Sequence, residues 1–252
     1  MRNLYGDILK PLVKGKDVSS FQEKPVSSLQ VFLLESLHLL PILTTYGVVS
    51  ITHDAIITLI AFFSGMTVLP WIYCNFYKQD MKSIWFGDGL EKRGQQLKLG
   101  ALGGFGILAL LLGVYCGFLG IEPLYTQWRD SLNIPVKRTL LNGVVFVFLY
   151  SFINPVLEEL FWRAFLLKGY QNRKLAYVST TIHYALYHFF VVYYIANEWI
   201  FPSIATVAIL VFGALLMYLR EKHGMIAAIA THAGADLAVA IACCHICSGI
   251  TL

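Results

Sequence analysis

The chain has 252 residues, 57% of them hydrophobic and only 13% charged, with a mean hydropathy of +0.64. A soluble domain carries about 25% charged residues, so this composition excludes the soluble globular class and indicates an integral membrane protein. The formal charge of +4 is small for the length and gives no sign of nucleic-acid binding; the five cysteines are an odd set, unlike the disulfide framework of a small secreted domain.

Residues 1–27 are polar and charged to about Lys24, with no short apolar core and cleavage site behind them, so they read as a cytoplasmic segment rather than a signal peptide. A spanning helix needs about 20 mostly apolar residues. Seven stretches meet this, near 28–50, 54–76, 99–121, 139–167, 175–197, 199–219 and 224–245. Glu35, His38 and Pro41 interrupt the first, which therefore offers either a second polar site or a segment lying partly in the membrane interface. The fourth is longer than a span requires, as expected for a tilted or protruding helix. The connection Tyr77–Lys98 has room for an amphipathic surface helix, and Glu122–Arg138 joins the third and fourth stretches.

Lys and Arg set the orientation. They concentrate in the N-terminal segment, in Tyr77–Lys98, just after the fourth stretch and at Arg220 and Lys222, whereas the other side has Arg129, Lys137 and Arg138. The positive-inside rule then puts the N-terminus in the cytoplasm. The expected architecture is an all-α polytopic membrane helix bundle of about seven transmembrane helices. It divides into the segment 1–27, the N-terminal helices and connections 28–138, and a helix bundle 139–252 that carries the chemistry.

That chemistry starts at Glu158 and Glu159, adjacent in an apolar stretch. An ionised carboxylate in hydrocarbon costs several kcal/mol, about +2.5–3.5 even on insertion scales, so a pair of them needs a use. Arg163 lies one turn from Glu159 and can pair with it, either as a structural ion pair or as part of a site. Glu158, about 100° round the helix, is free to face another cavity. Asn154-Pro155 precedes the pair, and Pro155 is expected to kink the helix and open room for water. Tyr184 and His188 are one turn apart in the fifth stretch, and His232 and Asp236 in the seventh. At 1.5 Å rise per residue Glu158 and His232 lie roughly 14 Å, and His188 roughly 20 Å, from the cytoplasmic ends of their helices. One shared level, open to the cytoplasm, is expected. Such a set can bind a divalent metal such as Zn²⁺ through Glu158, His188 and His232, or activate water directly through Glu158 and His188 while His232 and Asp236 stabilise an oxyanion.

The runs Glu158-Glu159-x-x-x-Arg163, Tyr184-x-x-x-His188 and His232-x-x-x-Asp236 resemble, in order and spacing, the signatures of the CAAX prenyl protease and bacteriocin-processing (CPBP) family of intramembrane proteases. The polar turn Arg220–Gly224 agrees as well, and the resemblance covers roughly 140–245. Ala164 stands where Gly is usual and Tyr184 where Phe is commoner. The resemblance implies an intramembrane endopeptidase in which Glu158 is the general base and His188 its partner. Glu159 and Arg163 would then set the electrostatics or receive substrate, and His232 with Asp236 would form the oxyanion site. It leaves open a metal-free or metal-dependent mechanism. It further implies a peptide or protein substrate, lipidated for some members and met in membrane lipid, and a plasma (inner) membrane location in a prokaryote.

Two other classes use similar residues: an ion-coupled transporter with the same buried carboxylates, and a non-proteolytic scaffold or immunity protein. The chain lacks the repeated halves of a transporter, and it has no His-Glu-x-x-His, Gly-x-Ser-x-Gly or phosphate-binding loop. Cys243, Cys244 and Cys247 are expected as small apolar residues at the outer end of the last helix, away from the glutamates. Phe189, Phe190, Tyr193, Tyr194 and Trp199 are expected in an outer interfacial belt.

Overall fold

Hydroxyl side chains show how this chain tolerates polar atoms in apolar helices. Thr44, Thr58, Ser64, Thr67 and Thr180 each donate to the carbonyl four residues back, at 2.7–2.8 Å, so they demand no external partner. The computed structural model describes residues 28–81, 84, 93–121, 124–136, 139–168, 170 and 173–248. The expected cytoplasmic segment 1–27, and most of the surface helix expected within Tyr77–Lys98, lie outside the described residues.

All described elements are helical. Helix α1 covers 28–52, with a turn at His38–Leu39 and a π-helical turn at Leu43–Gly47; α2 is Ala55–Phe76, α3 Arg93–Leu119 and the short α4 Leu124–Ser131. Helix α5 covers 140–168, α6 is Arg173–Ala196, α7 Ile200–His223 and α8 Met225–Ser248. Six helices are long and apolar enough to cross a membrane: α2, α3, α7 and α8, with Phe32–Thr52 of α1 and Leu140–Phe165 of α5. The remaining expected stretch, the fifth, is the 24-residue α6, long enough to span but outside those six. Its histidines and tyrosines lower its hydropathy. Two of them, Tyr184 and Tyr187, are buried in the interior.

Local chemistry places the boundaries. Asp54 caps α2 by accepting from the Ile56 and Ile57 backbone N–H groups at 2.9 and 3.2 Å. Thr139 caps α5 by accepting from Asn142 N–H at 3.3 Å. Gly224 separates α7 from α8 at φ +97, and a Cβ there would run into the Gln96 side chain.

Helix α3 packs on α8 along a seam of small residues: Gly100, Gly103 and Gly104 against Ala227, Ala230, Thr231 and Gly234. Without a hydrophobic drive between helices in lipid, close backbone approach is what holds such a pair. Much of the rest of α3 is exposed, including Leu102, Phe105, Leu110 and Val114, as befits a lipid-facing helix at the rim. Helix α5 sits at the centre and touches α2, α6 and α8. Its stretch Leu160–Leu166 is 0–4% exposed.

The seam makes a test. A Cβ on Gly234 would overlap the Gly104 backbone, whereas Gly106 has nothing within 4 Å. Overpacking typically costs about 1–3 kcal/mol. Gly234→Leu is expected to lower the unfolding midpoint in detergent accordingly, and Gly106→Leu to leave it unchanged.

Candidate active site

Helix α5 is irregular where the expected site lies. A π-helical turn at Leu149–Ile153 leads into Asn154–Glu158, with Pro155 in its first turn, and a second π-helical stretch covers Glu159–Phe165. A π turn widens the helix and rotates the residues beyond it, a device common at functional sites. The two glutamates sit at the junction and point to different partners.

Glu159 is fully buried and held by two side-chain donors. Arg163 Nη1 donates to its Oε1 at 3.0 Å, and His232 Nδ1 donates to the same oxygen at 2.8 Å. The Arg163 guanidinium also lies 4.0 Å over the Tyr184 ring, a cation–π contact in a desolvated place. Gly213 of α7 makes room for both, since a Cβ there would meet Tyr184 at 3.0 Å and Arg163 at 3.4 Å.

Glu158 is 1% exposed and has no cation of its own. Its Oε1 accepts from Asn154 Nδ2 at 2.9 Å and from the Tyr187 hydroxyl. Its Oε2 has no hydrogen-bond partner and lies 3.9 Å from His232 Nε2. Asn154 Nδ2 also donates to Asp236 Oδ2 at 3.0 Å, tying α5 to α8. His232 Nε2 faces Asp236 Oδ1 at 3.5 Å and the Tyr184 hydroxyl at 3.3 Å. The six expected residues are therefore brought into one cluster by α5, α6 and α8.

His188 joins that cluster through Tyr187. Its Nε2 lies 3.0 Å from the Tyr187 hydroxyl and its Nδ1 2.7 Å from the Tyr184 carbonyl oxygen. Glu158, Asn154, Tyr187 and His188 line one end of a cavity of about 120 Å³ whose walls include Phe62, Phe146, Tyr150, Val191 and Val239. His232 is not among its lining residues and lies buried behind Glu158. Of the two imidazoles, that of His188 lines this cavity. The direction of the cavity differs from expectation. It runs towards Ile134–Val136, Tyr194 and Ile195, the end assigned to the outside by charge, rather than towards the cytoplasm. Phe161, Trp162 and Phe165 explain this, because they are 0–2% exposed and fill the space below the glutamates. Trp162 stacks on Tyr187 with centroids 5.9 Å apart, and closes that side.

Asn154 and Tyr187 are the site residues that motif reasoning missed. Asn154 is visible in the sequence as a polar residue one turn before Glu158, and Tyr187 only as the neighbour of His188. Among the described residues no group of three or more His, Cys, Asp or Glu side chains stands where it could hold a metal ion. The set Glu158, His188 and His232 does not fit one as arranged, since the Tyr187 hydroxyl lies between Glu158 and His188 and His232 lies on the far side. Cys243, Cys244 and Cys247 pack near Phe146 and Ala240, and His245 bonds to Tyr115 at 2.7 Å.

Glu35 and His38 belong to a second polar cluster. Tyr170 donates to Glu35 Oε1 at 2.6 Å and lies 3.2 Å from Ser179 Oγ and 3.4 Å from His38 Nε2, while the His38 and His183 rings are 4.6 Å apart. Burial, and then the bond to Glu35, raises the Tyr170 hydroxyl well above its ordinary range, so it stays a donor.

Residues 140–238 match the family model described as type II CAAX prenyl endopeptidase Rce1-like. Neither the curated proteins nor the solved structures gave a match to this chain. The matched segment begins with the first residue of α5, ends two residues beyond Asp236 and contains Glu158, Glu159, Arg163, His188 and His232 as well. Over that segment, somewhat under half of the chain, this helical membrane protein is similar to the Rce1-like model, in agreement with the CPBP signatures that its three motifs resemble.

Proposed function

We propose that this protein is an intramembrane endopeptidase that hydrolyses a peptide bond with water activated by Glu158 and His188. The observation that carries the reading is Glu158 itself: a buried carboxylate with one oxygen held by the neutral donors Asn154 and Tyr187 and the other unpartnered, at the end of an apolar cavity. A general base must keep a lone pair free for the proton it removes. Glu159 also has a bare oxygen, Oε2, but it does not line the cavity, and Arg163 and His232 on its Oε1 fix its charge.

In the proposed reaction a water beside Glu158 gives up a proton as its oxygen attacks the scissile carbonyl carbon. Glu158 then returns that proton to the leaving amine nitrogen as the C–N bond breaks. Asp236 and His232 act from behind, holding Asn154 and balancing the carboxylates; an oxyanion role for them would require the substrate carbonyl to reach past Glu158. The family match supports a peptide substrate, and the apolar walls suit one bearing a lipid-modified or otherwise apolar segment, as in a prenylated CAAX peptide. The site would work in a seven-helix bundle with its N-terminus in the cytoplasm, in the plasma (inner) membrane of a prokaryote.

A quenched prenylated CAAX peptide, given to the purified protein in lipid with and without chelator, tests this. Loss of a general base or its partner typically costs about 10²–10⁴-fold in rate. Glu158→Gln and His188→Ala are each expected to lose cleavage to that extent while the protein stays folded. Full activity in both variants would remove the catalytic assignment.

The two glutamates should also separate in stability. Removing one partner of a buried ion pair costs about 3–5 kcal/mol. Arg163→Leu is therefore expected to destabilise the bundle by that amount in a detergent unfolding titration, whereas Glu158→Gln should stay within about 1 kcal/mol of the parent.

A further inference from the structure

The hydrogen bonds around Tyr187 do not close unless the site holds one proton more than its resting groups supply. A carbonyl oxygen only accepts, so the 2.7 Å contact to Tyr184 places a hydrogen on His188 Nδ1. With His188 neutral, Nε2 is then a bare acceptor, 3.0 Å from the Tyr187 hydroxyl. That hydroxyl also meets Glu158 Oε1. It has a single hydrogen. With Glu158 ionised and His188 neutral, one of its two contacts sets lone pair against lone pair.

One added proton resolves the conflict in two ways. In the first, neutral Glu158 donates to the Tyr187 oxygen, and Tyr187 donates to His188 Nε2. In the second, Glu158 is a carboxylate that accepts from Tyr187, and a cationic His188 donates from Nε2 to the Tyr187 oxygen. The two arrangements differ only by shifting two protons along the row.

A count of charge points the same way. Among the described residues, Glu158, Glu159 and Asp236 form one buried cluster in which one arginine, Arg163, is directly hydrogen-bonded to a carboxylate. His232, between Glu159 Oε1 at 2.8 Å and Asp236 Oδ1 at 3.5 Å, offsets one excess negative charge as an imidazolium. One remains, and an uncompensated buried charge is costly. Among the described residues, the groups that face Tyr187 from its neighbours offer no further cation: Phe62 from α2, Tyr150, Asn154 and Trp162 from α5, and Tyr184 from its own helix. Arg220, farther along α7, pairs with Glu221 at 2.5 Å and lies within electrostatic reach of Glu159, so it adds to the compensation of Glu159 and supplies no cation to Tyr187.

We propose that the Tyr187 hydroxyl is a relay that passes this shared proton between Glu158 and His188. Its catalytic meaning rests on the hydrolytic reading above. With the proton on His188, Glu158 is a carboxylate whose unpartnered Oε2 takes the proton of water; with the proton on Glu158, the base is switched off. Tyr187 is thus a positioning residue that sets when the base is available.

The test needs no substrate, so its failure is distinct from a failure of the proposed activity. Infrared difference spectra of the full chain in lipid follow the carbonyl stretch of protonated Glu158, assigned by its loss in Glu158→Gln, against pH. His188→Ala is expected to move the midpoint by about one pH unit or more, the scale that marks two groups titrating as a pair. In the Tyr187→Phe background the same change should move it by less than about half as much. A shift preserved in that background, no shift in either, or no Glu158 band over the folded range overturns the relay. Should Tyr187→Phe fail to fold, 3,5-difluorotyrosine at position 187 keeps the ring and makes its hydroxyl a stronger donor. The Glu158 midpoint should then fall, and an unchanged midpoint counts against the proposal.

Discussion

The ion pair between Arg163 and Glu159 is the constraint on which the rest of the site depends. Two adjacent carboxylates in a low-dielectric interior repel one another and each demands compensation. Arg163 and His232 converge on Glu159, so the charge of that carboxylate is offset without help from its neighbour's partners. Glu158 is thereby left with neutral donors, Asn154 and Tyr187, and with one oxygen bare. The assembly is also mechanical. It joins α5 to α8 through His232, and it packs Arg163 between Tyr184 of α6 and the Gly213 notch of α7. Fixing the charge of one glutamate and aligning four helices are one event.

Helix α5 shows why a regular helix would not serve. In an unbroken α-helix Glu158 and Glu159 would be separated by about 100°, and Asn154 would lie almost directly under Glu158. The π-helical turns on both sides of Asn154–Glu158 keep that local register while rotating the residues beyond them. Asn154 remains one turn from Glu158, and Arg163 remains beside Glu159. The widened stretch from Glu159 to Phe165 presents Phe161, Trp162 and Phe165 as a solid aromatic wall. The wall that supports Tyr187 is thus made by the same residues that close the site on that side.

The spans and the polar cluster were legible in the sequence because both rest on local rules. Apolar length marks the helices, and one-turn spacing places Glu159 with Arg163, and His232 with Asp236. What spacing could not show is which side of Glu158 each imidazole occupies. His188 and His232 lie at similar depth by rise per residue, yet Tyr187 puts one beside the cavity and Glu159 draws the other behind Glu158. Depth is one coordinate; rotation about each helix axis is another, and tertiary partners set it. The cavity's direction was illegible for a related reason. Charge in the connections gives only an expected orientation, and whether space remains near Glu158 depends on how Trp162 and Phe161 fill the interior. Near Pro155, where a kink was expected, the irregularity takes the form of π-helical turns, which residue types do not reveal.

The same geometry bears on how an enzyme reading differs from a transporter reading of buried carboxylates. A carrier must expose its ionisable groups to both sides in turn, which requires surfaces that separate. Here Glu159, Arg163 and His232 are each 0–1% exposed and knitted across three helices, and the small-residue seam fixes α8 against α3 at backbone contact. Moving α8 relative to α5 would break Asn154 from Asp236 and His232 from Glu159 together. Preorganised polar groups that do not reorganise are what catalysis at a fixed point demands. The apolar cavity beside that buried polar knot is lined by Glu158, the glutamate of the adjacent pair to which no arginine is hydrogen-bonded.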